Sequence, residues 1–192
     1  MTINFKLNDE DISINVNSNE PLSYTIRSQS GDVNRYASCT EHTCGHCVVY
    51  DRNTNEILLS CLTPAFHLEG ADIITSDYFF ASKKAGYIKL AYTDVHTFPC
   101  SECIQKTTLV LDWVISILEK KMVYIKDEKD SIFFLHLEEE HSMKVHDADN
   151  IVEQNKAFIL SSMSVVKCTC LTPSDILAIT KAAIIRRRRS NV

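Results

Sequence analysis

The stretch SCTEHTCGHCVVY, residues 38–50, dominates the interpretation of this sequence because it places three cysteines within nine positions. Cys39, Cys44 and Cys47 follow the pattern C-x4-C-x2-C, and a fourth cysteine, Cys61, comes after the next predicted hairpin. This is the spacing of plant-type [2Fe–2S] ferredoxins. Three thiolates on one loop surround such a cluster, while the fourth approaches from a separate strand end. We call these four residues the loop group.

The other four cysteines form two close pairs, which we call the helical group: Cys100, Cys103, Cys168 and Cys170. One pair starts a predicted helix and the other immediately precedes one, and helix N-termini favour anionic ligands such as thiolates. Zinc competes for any four cysteines, although zinc sites usually use two paired knuckles and the loop group has only one. Two complete quartets with no cysteine left over favour two metal centres.

Composition restricts the partners that we expect. The chain has 192 residues, 45% of them hydrophobic and 23% charged, with a formal net charge of −5, so we expect a globular protein that does not bind nucleic acid. The basic run Arg186 to Arg189 is expected to stay solvated at a helix C-terminus, with docking of an acidic partner as the alternative. No stretch approaches the roughly 20 apolar residues that a membrane span requires.

The N-terminal residues lack the basic and apolar regions of a signal peptide, so we expect a cytoplasmic protein. In a reducing compartment, the eight cysteines are more suited to metal ligation than to disulfides. The four glycines are too widely spaced for a dinucleotide or phosphate loop. Any flavin or nicotinamide would therefore be bound by another chain.

Hydrophobic periodicity predicts a β-rich first part. Apolar residues alternate with polar ones over 3–7 and 12–16, and again around the turn between 48–50 and 57–59, which predicts two hairpins. A short helix is predicted over 21–29 and a further strand over 71–75. Together these elements indicate a small mixed sheet crossed by one helix.

Helical spacing dominates from about residue 77 onwards. It predicts a helix containing Ile88 to Val95, one of about four turns containing Val110 to Ile117, and another over 150–164. A last helix begins at Thr172, with Thr172 as the N-cap residue. Residues 121–146 fit the pattern poorly and suggest an inserted hairpin. We therefore predict one domain over residues 1–78 and a second over 79–192, with an insertion at about 121–146.

With these motifs in this order, the chain resembles the iron–sulfur subunit or domain of the molybdenum hydroxylases, the xanthine dehydrogenase and aldehyde oxidase family. The resemblance is carried by the strands of NFKLNDEDISINV, the loop CTEHTCGHC, the segment SCLTP at 60–64, both later cysteine pairs and the tail CTCLTPSDILAITKA. It implies an α+β fold, in which an N-terminal β-grasp, plant-type ferredoxin-like domain precedes a helical-bundle [2Fe–2S] domain.

The resemblance also implies a function. The loop group would hold one [2Fe–2S] cluster and the helical group a second. Electrons would pass from a molybdopterin subunit to the helical cluster, then to the loop cluster, then to an FAD subunit. The chain would have no catalytic residue of its own. We expect Gly45 to allow close backbone approach to the first cluster, with an ordinary turn glycine as the alternative.

The sequence departs from the family pattern around the cysteines. Thr40 and His42 replace usual glycines, and Pro99 replaces a glutamine that contacts the pterin cofactor in the family. The usual Thr-Pro-Gly after Cys103 is Ile-Gln-Lys at 104–106, so that Lys106 takes the place of a glycine. The usual Gly-Asn before Cys168 is replaced by the two valines at 165–166.

These departures leave two alternatives open. The chain could be a stand-alone two-cluster ferredoxin or redox sensor, or its eight thiolates could bind two structural zinc ions. Metal and sulfide content distinguish the second alternative, and the presence of partner subunits distinguishes the first.

Overall fold

The protein has a mixed α+β fold. The structure is a computed structural model that describes residues 1–17, 19–30, 44–101, 103–127 and 143–190. In these ranges the strands are β1 (Thr2–Leu7), β2 (Glu10–Asn15), β3 (Val48–Asp51), β4 (Glu56–Leu59) and β5 (Asp72–Thr75). The helices are α1 (Leu22–Ser30), α2 (Ser76–Ala81), α3 (Gly86–Val95), α4 (Ile104–Asp127), α5 (Met143–Gln154), α6 (Lys156–Met163) and α7 (Pro173–Ser190).

The strands form one mixed sheet in the order β2-β1-β5-β3-β4. Both predicted hairpins are confirmed, since β1 pairs with β2 and β3 with β4 in antiparallel fashion. The predicted strand near residues 71–75 is also confirmed: β5 enters the middle of the sheet, parallel to β1 and antiparallel to β3. Because β5 joins the two hairpins, it fixes the position of the loop group relative to the first hairpin.

The sheet separates two clusters of buried apolar side chains. Val49 and Ile73 belong to the sheet core, which also contains residues of β1 and α1. Their neighbours Val48 and Ile74 belong to the helical core, which contains residues of α2 to α7. Successive side chains of a strand point to opposite faces, so the two cores lie on opposite faces of β3 and β5. The helical part therefore packs directly on the strands that flank the loop group.

The two-domain division remains a prediction. Its boundary, after residue 78, falls inside α2 (Ser76–Ala81), a helix that the periodicity did not predict. The helical core also includes Val48 and Ile74 from the first predicted domain.

Helix α4 is longer than the sequence pattern predicted. It runs over 24 residues, from Ile104 to Asp127, instead of about four turns. The expected first strand of the inserted hairpin, at 123–125, was therefore wrong, because these residues continue α4. Extending an existing helix requires no new nucleus, and this outweighs the strand preference of a short Val-Tyr-Ile run. Residues 128–142, which include the expected second strand, lie outside the described residues.

The single helix predicted over 150–164 is divided into two helices. Helix α5 ends at Gln154 and α6 begins at Lys156. Between them, the side-chain amide of Asn155 donates a hydrogen bond of 2.9 Å to the Ile151 carbonyl. The Asn155 backbone N–H donates to the same carbonyl at 3.1 Å, and the interruption lies in the non-helical backbone of Asn155, with φ −110° and ψ 15°.

The arginine run stays solvated only in part: Arg189 is exposed as predicted, but the three arginines before it are not free in solvent. Arg186, Arg187 and Arg188 form ion pairs with carboxylates on other helices, and their partners include, in order, Asp94, Glu119 and Asp147. These partners belong to α3, α4 and α5. The run therefore ties the end of α7 to three neighbouring helices. Within the described ranges, no helix is long and apolar enough to span a membrane.

The predicted N-cap of α7 is confirmed. The Thr172 hydroxyl accepts a hydrogen bond of 3.2 Å from the Asp175 backbone N–H, and the Asp175 carboxylate accepts one of 2.8 Å from the Thr172 backbone N–H. This reciprocal pair is a capping box in which Asp replaces the usual Glu. It fixes the start of α7 three residues after Cys170.

Replacing the cap should weaken the fold without altering its core. We expect Thr172→Ala to lower the free energy of unfolding by about 1 kcal/mol, because the alanine leaves a helix N–H without its acceptor. The measurement is urea unfolding followed by circular dichroism. Thr172→Ser is the matched control and should unfold at the wild-type urea concentration. Equal stability of all three proteins would contradict the capping role.

Candidate metal centre

The structure brings the helical group together. The sulfur atoms of Cys100, Cys103 and Cys170 all lie within 4.8 Å of one another. Cys168 is not part of this trio, but its thiol lies near enough to contribute to the raised pKa of the Cys103 thiol. Three of the four cysteines, from two stretches with 64 residues between them, thus meet at one point, and Cys168 lies beside them. Their role as ligands remains a prediction.

Local backbone structure explains how each pair reaches this point. The Cys100 carbonyl accepts hydrogen bonds from the backbone N–H groups of Cys103 (3.0 Å) and Ile104 (2.9 Å), so the first pair forms the turn that starts α4. The second pair follows Lys167, whose φ of +45° reverses the chain after a short 3-10 turn. The chain then enters α7, so both pairs lie at the positive ends of helices.

Crowding disfavours the thiolate form of Cys103 and Cys170. Burial raises the pKa of the Cys103 thiol, and hydrogen bonds with the thiols of Cys168 and Cys100 raise it further. For Cys170, a hydrogen bond with the Cys100 backbone lowers the pKa, but a hydrogen bond with the Cys100 side chain and burial together raise it overall. Metal ligation requires thiolates, and the positive charge of iron or zinc would offset their mutual repulsion. The donor set fits a thiolate-bound metal centre.

The loop group is described in part. The sulfur atoms of Cys47 and Cys61 lie 3.2 Å apart, and both residues are buried. Cys47 precedes β3 and Cys61 follows β4, and the pairing of Val48 with Leu59 brings these two hairpin ends together. Cys44 does not join the pair within the 4.8 Å that defines the helical trio. Cys39 lies outside the described residues.

Two buried hydroxyl groups lie close to the cysteines in sequence. Among the described residues, neither the Ser60 Oγ nor the Thr107 Oγ1 has a hydrogen-bond partner. Ser60 directly precedes Cys61, and the backbone N–H of Thr107 donates to the Cys103 carbonyl at 2.9 Å. A buried hydroxyl without a partner costs about 1–3 kcal/mol. Sulfur acceptors of a bound cluster would suit such donors, which supports the fit of an iron–sulfur group.

Gly45 packs closely against the helical half of the chain. Its φ is +67°, and a Cβ atom added to it would lie 2.4 Å from the Val165 carbonyl oxygen and 2.8 Å from the Val166 Cα. The expected close approach of Gly45 to the first cluster remains a prediction. What the structure shows is a close approach to the backbone turn that precedes Cys168. The valines noted as departures from the family pattern thus form this contact.

Lys106 is the site residue that the motifs did not identify. Its side chain is buried, and its Nζ donates a hydrogen bond of 2.8 Å to the backbone carbonyl of Cys44. One signal was available in the sequence: Lys106 precedes Val110 and Val114 by one and two helical steps of four residues. Residues so spaced share a helix face, so this lysine lies on the apolar stripe of α4.

Neither a protein-family profile nor a curated protein sequence matches this chain. Solved structures do match. Quinoline 2-oxidoreductase from Pseudomonas putida 86 is 22% identical, with a TM-score of 0.59, over 100% of this chain and 98% of that one. Aldehyde oxidoreductase from Desulfovibrio desulfuricans ATCC 27774 is 16% identical, with a TM-score of 0.60, over 97% of this chain and 17% of that one.

A third match is the aldehyde oxidoreductase from Desulfovibrio gigas, which is 14% identical, with a TM-score of 0.59, over 98% of this chain and 17% of that one. At these identities the similarity establishes a shared fold. This chain therefore has the fold of a nearly whole quinoline oxidoreductase chain and of about a sixth of each aldehyde oxidoreductase chain. These matches are consistent with the resemblance to molybdenum hydroxylases.

The contact at Gly45 yields a prediction about stability. We expect Gly45→Ala to lower the free energy of unfolding by about 2–4 kcal/mol, because the methyl group meets fixed backbone and the residue must keep a positive φ. Gly70 is the matched control, since its φ is +75° and its Cβ would meet nothing within 4 Å. We expect Gly70→Ala to cost only the conformational part, about 1 kcal/mol. Urea unfolding measures both, and equal losses would contradict the close contact.

Proposed function

We propose that this chain is the electron-transfer iron–sulfur unit of a molybdenum-hydroxylase-type oxidoreductase. The loop group would bind one [2Fe–2S] cluster and the helical group another. The observation that carries this proposal is the packing of the segment between Cys44 and Cys47 against the turn before Cys168. Gly45, between two loop cysteines, lies against the turn that precedes Cys168. Electron transfer weakens steeply with distance, so two redox centres need such neighbouring positions to act in sequence.

The comparisons support this kind of oxidoreductase. The matched proteins are named quinoline 2-oxidoreductase and aldehyde oxidoreductase, in agreement with the aldehyde oxidase family that the cysteine motifs resemble. In the aldehyde oxidoreductases the shared fold occupies 17% of the chain, so most of those proteins has no counterpart here. Substrate chemistry would accordingly take place in partner subunits that bind molybdopterin and FAD.

The residues of this chain would hold the clusters and set their potentials. A bound [2Fe–2S] cluster supplies a carrier for one electron. Burial of Cys47, Cys61 and Cys103 excludes water from part of each group. The hydroxyls of Ser60 and Thr107 would supply hydrogen bonds to sulfur. Solvent exposure, hydrogen bonds to sulfur and local charge are the factors that tune the potentials of such clusters.

A stand-alone ferredoxin or redox sensor is the first alternative, and it is favoured by Pro99. This residue is buried directly before Cys100. It occupies the position at which the family resemblance places a pterin-contacting glutamine, and proline offers neither a side-chain donor nor an N–H. A cluster pair that receives electrons from another source would not need that contact.

A structural zinc site is the second alternative, and the spacing of the helical trio favours it. Tetrahedral zinc with Zn–S bonds of about 2.3 Å places its sulfur ligands about 3.8 Å apart. Sulfur atoms within 4.8 Å of one another can reach that spacing with small side-chain shifts. Zinc would leave the protein colourless and free of sulfide.

Metal analysis tests the proposed function directly. Anaerobically purified protein should contain about four iron and four sulfide per chain, since each plant-type cluster contains two of each. After dithionite reduction, low-temperature EPR should show two distinct signals. Zinc without sulfide would refute the proposal and support the structural alternative.

Cysteine variants should assign each signal to its group. We expect Cys61→Ser to abolish or strongly alter one EPR signal and Cys103→Ser the other, because serine replaces a thiolate ligand without a large change in volume. In each variant the untouched cluster is the internal control. Loss of neither signal in either variant would show that these residues are not ligands.

Composition of the native assembly distinguishes the relay subunit from the stand-alone carrier. The full-length chain, purified from its own source under gentle conditions, should bring with it molybdenum and FAD in amounts comparable to the chain. Purification of a two-cluster protein without either cofactor would support the ferredoxin or redox-sensor alternative.

A further inference from the structure

We propose that Lys106 is a positioning residue, a buried cation that joins the two cysteine groups and favours the reduced state of both clusters. This inference rests on the proposed function, because it concerns the clusters that the groups would bind. Neither the family motifs nor the cysteine spacing assigns a role to this residue.

The geometry places Lys106 between the groups. It lies in the first turn of α4, three residues after Cys103, and residues three apart are neighbours on a helix surface. Its Nζ donates 2.8 Å to the carbonyl of Cys44, in the loop group. A single side chain therefore reaches both groups.

The burial of this ammonium requires a compensating negative charge. Only 3% of Lys106 is exposed. The salt bridges within the described ranges do not include it. One carbonyl dipole compensates poorly for the water that a buried charge loses. A cluster of two ferric ions, two sulfides and four thiolates is a dianion, and at either group it would place negative charge near this ammonium.

The position of Lys106 on its helix strengthens this argument. A cation near a helix N-terminus is unfavourable because that end carries partial positive charge. The first turn of α4 contains no acidic residue to offset it. The corresponding residue in the family pattern is a glycine, so the cation distinguishes this chain from the pattern that it otherwise resembles.

A fixed cation changes the energy of the redox step. Reduction transfers one electron from the donor subunit to a cluster, breaks no bond and makes the cluster more negative. The Lys106 charge stabilises this added negative charge more than the oxidised form. It should therefore raise the midpoint potential of each cluster, and it should do so at both groups because it lies between them.

The test is an EPR-monitored redox titration of the anaerobically purified full chain. Wild-type iron and sulfide are measured first, and their absence would overturn the proposed function before Lys106 is considered. With loaded wild-type protein, we expect Lys106→Met to lower both midpoint potentials. The expected change in each reduction equilibrium is about tenfold, the order of magnitude for a nearby charge at a half-buried site. For a one-electron couple this corresponds to about 59 mV.

Two control variants separate the specific charge from general effects. Lys106→Arg keeps the cation and should keep both potentials. Lys6→Met removes an exposed charge on β1 and should leave both potentials unchanged. If the methionine variant does not bind clusters, Lys106→Gln replaces it, since glutamine keeps a hydrogen-bond donor without the charge. Wild-type potentials in the loaded neutral variant, or a fall at one cluster only, would overturn the bridging role.

Discussion

The close contact between the cysteine loop and the helical half is the constraint on which the rest of this structure depends. Gly45 can approach the backbone of residues 165–166 because it has no Cβ and tolerates a positive φ. The Lys106 hydrogen bond to the Cys44 carbonyl holds the same loop from the side of α4. Without this contact the two cysteine groups would be separate features of a long chain. With it, they become neighbouring sites in one packed structure.

The sheet allows this contact between the cysteine loop and the helical half because its two faces pack against different cores. One face of β3 and β5 packs on the sheet core and the other on the helical core. The ends of β3 and β4 carry Cys47 and Cys61, so the helices that cover one face come close to the loop group. Near the C-terminal end of α7, ion pairs of the arginine run fasten this helix to its neighbours. The strands and helices that carry the cysteines are thus held in position by packing and ion pairs that do not involve the cysteines themselves.

Local sequence signals predicted most of the described elements. Alternation identified both hairpins, and the Thr172 cap marked the start of α7, because these patterns depend on neighbours within a few residues. The failures share one cause. The run at 123–125 favours a strand locally but continues α4, and Asn155 divides a helix whose apolar spacing suggested continuity. In both cases the backbone conformation was decided by helix extension or by a local interruption, and the spacing of apolar residues reveals neither.

The sequence by itself determined which metal-binding side chains are available: eight cysteines in two groups, together with the strands and helices that flank them. These features are local, and spacing along the chain is enough to recognise them. The tertiary structure decided which distant residues meet. It placed Cys168 beside Cys103, Gly45 against residues 165–166 and the Lys106 ammonium on the Cys44 carbonyl. Such contacts arise from the packing of whole elements, and no single segment contains the information that specifies them.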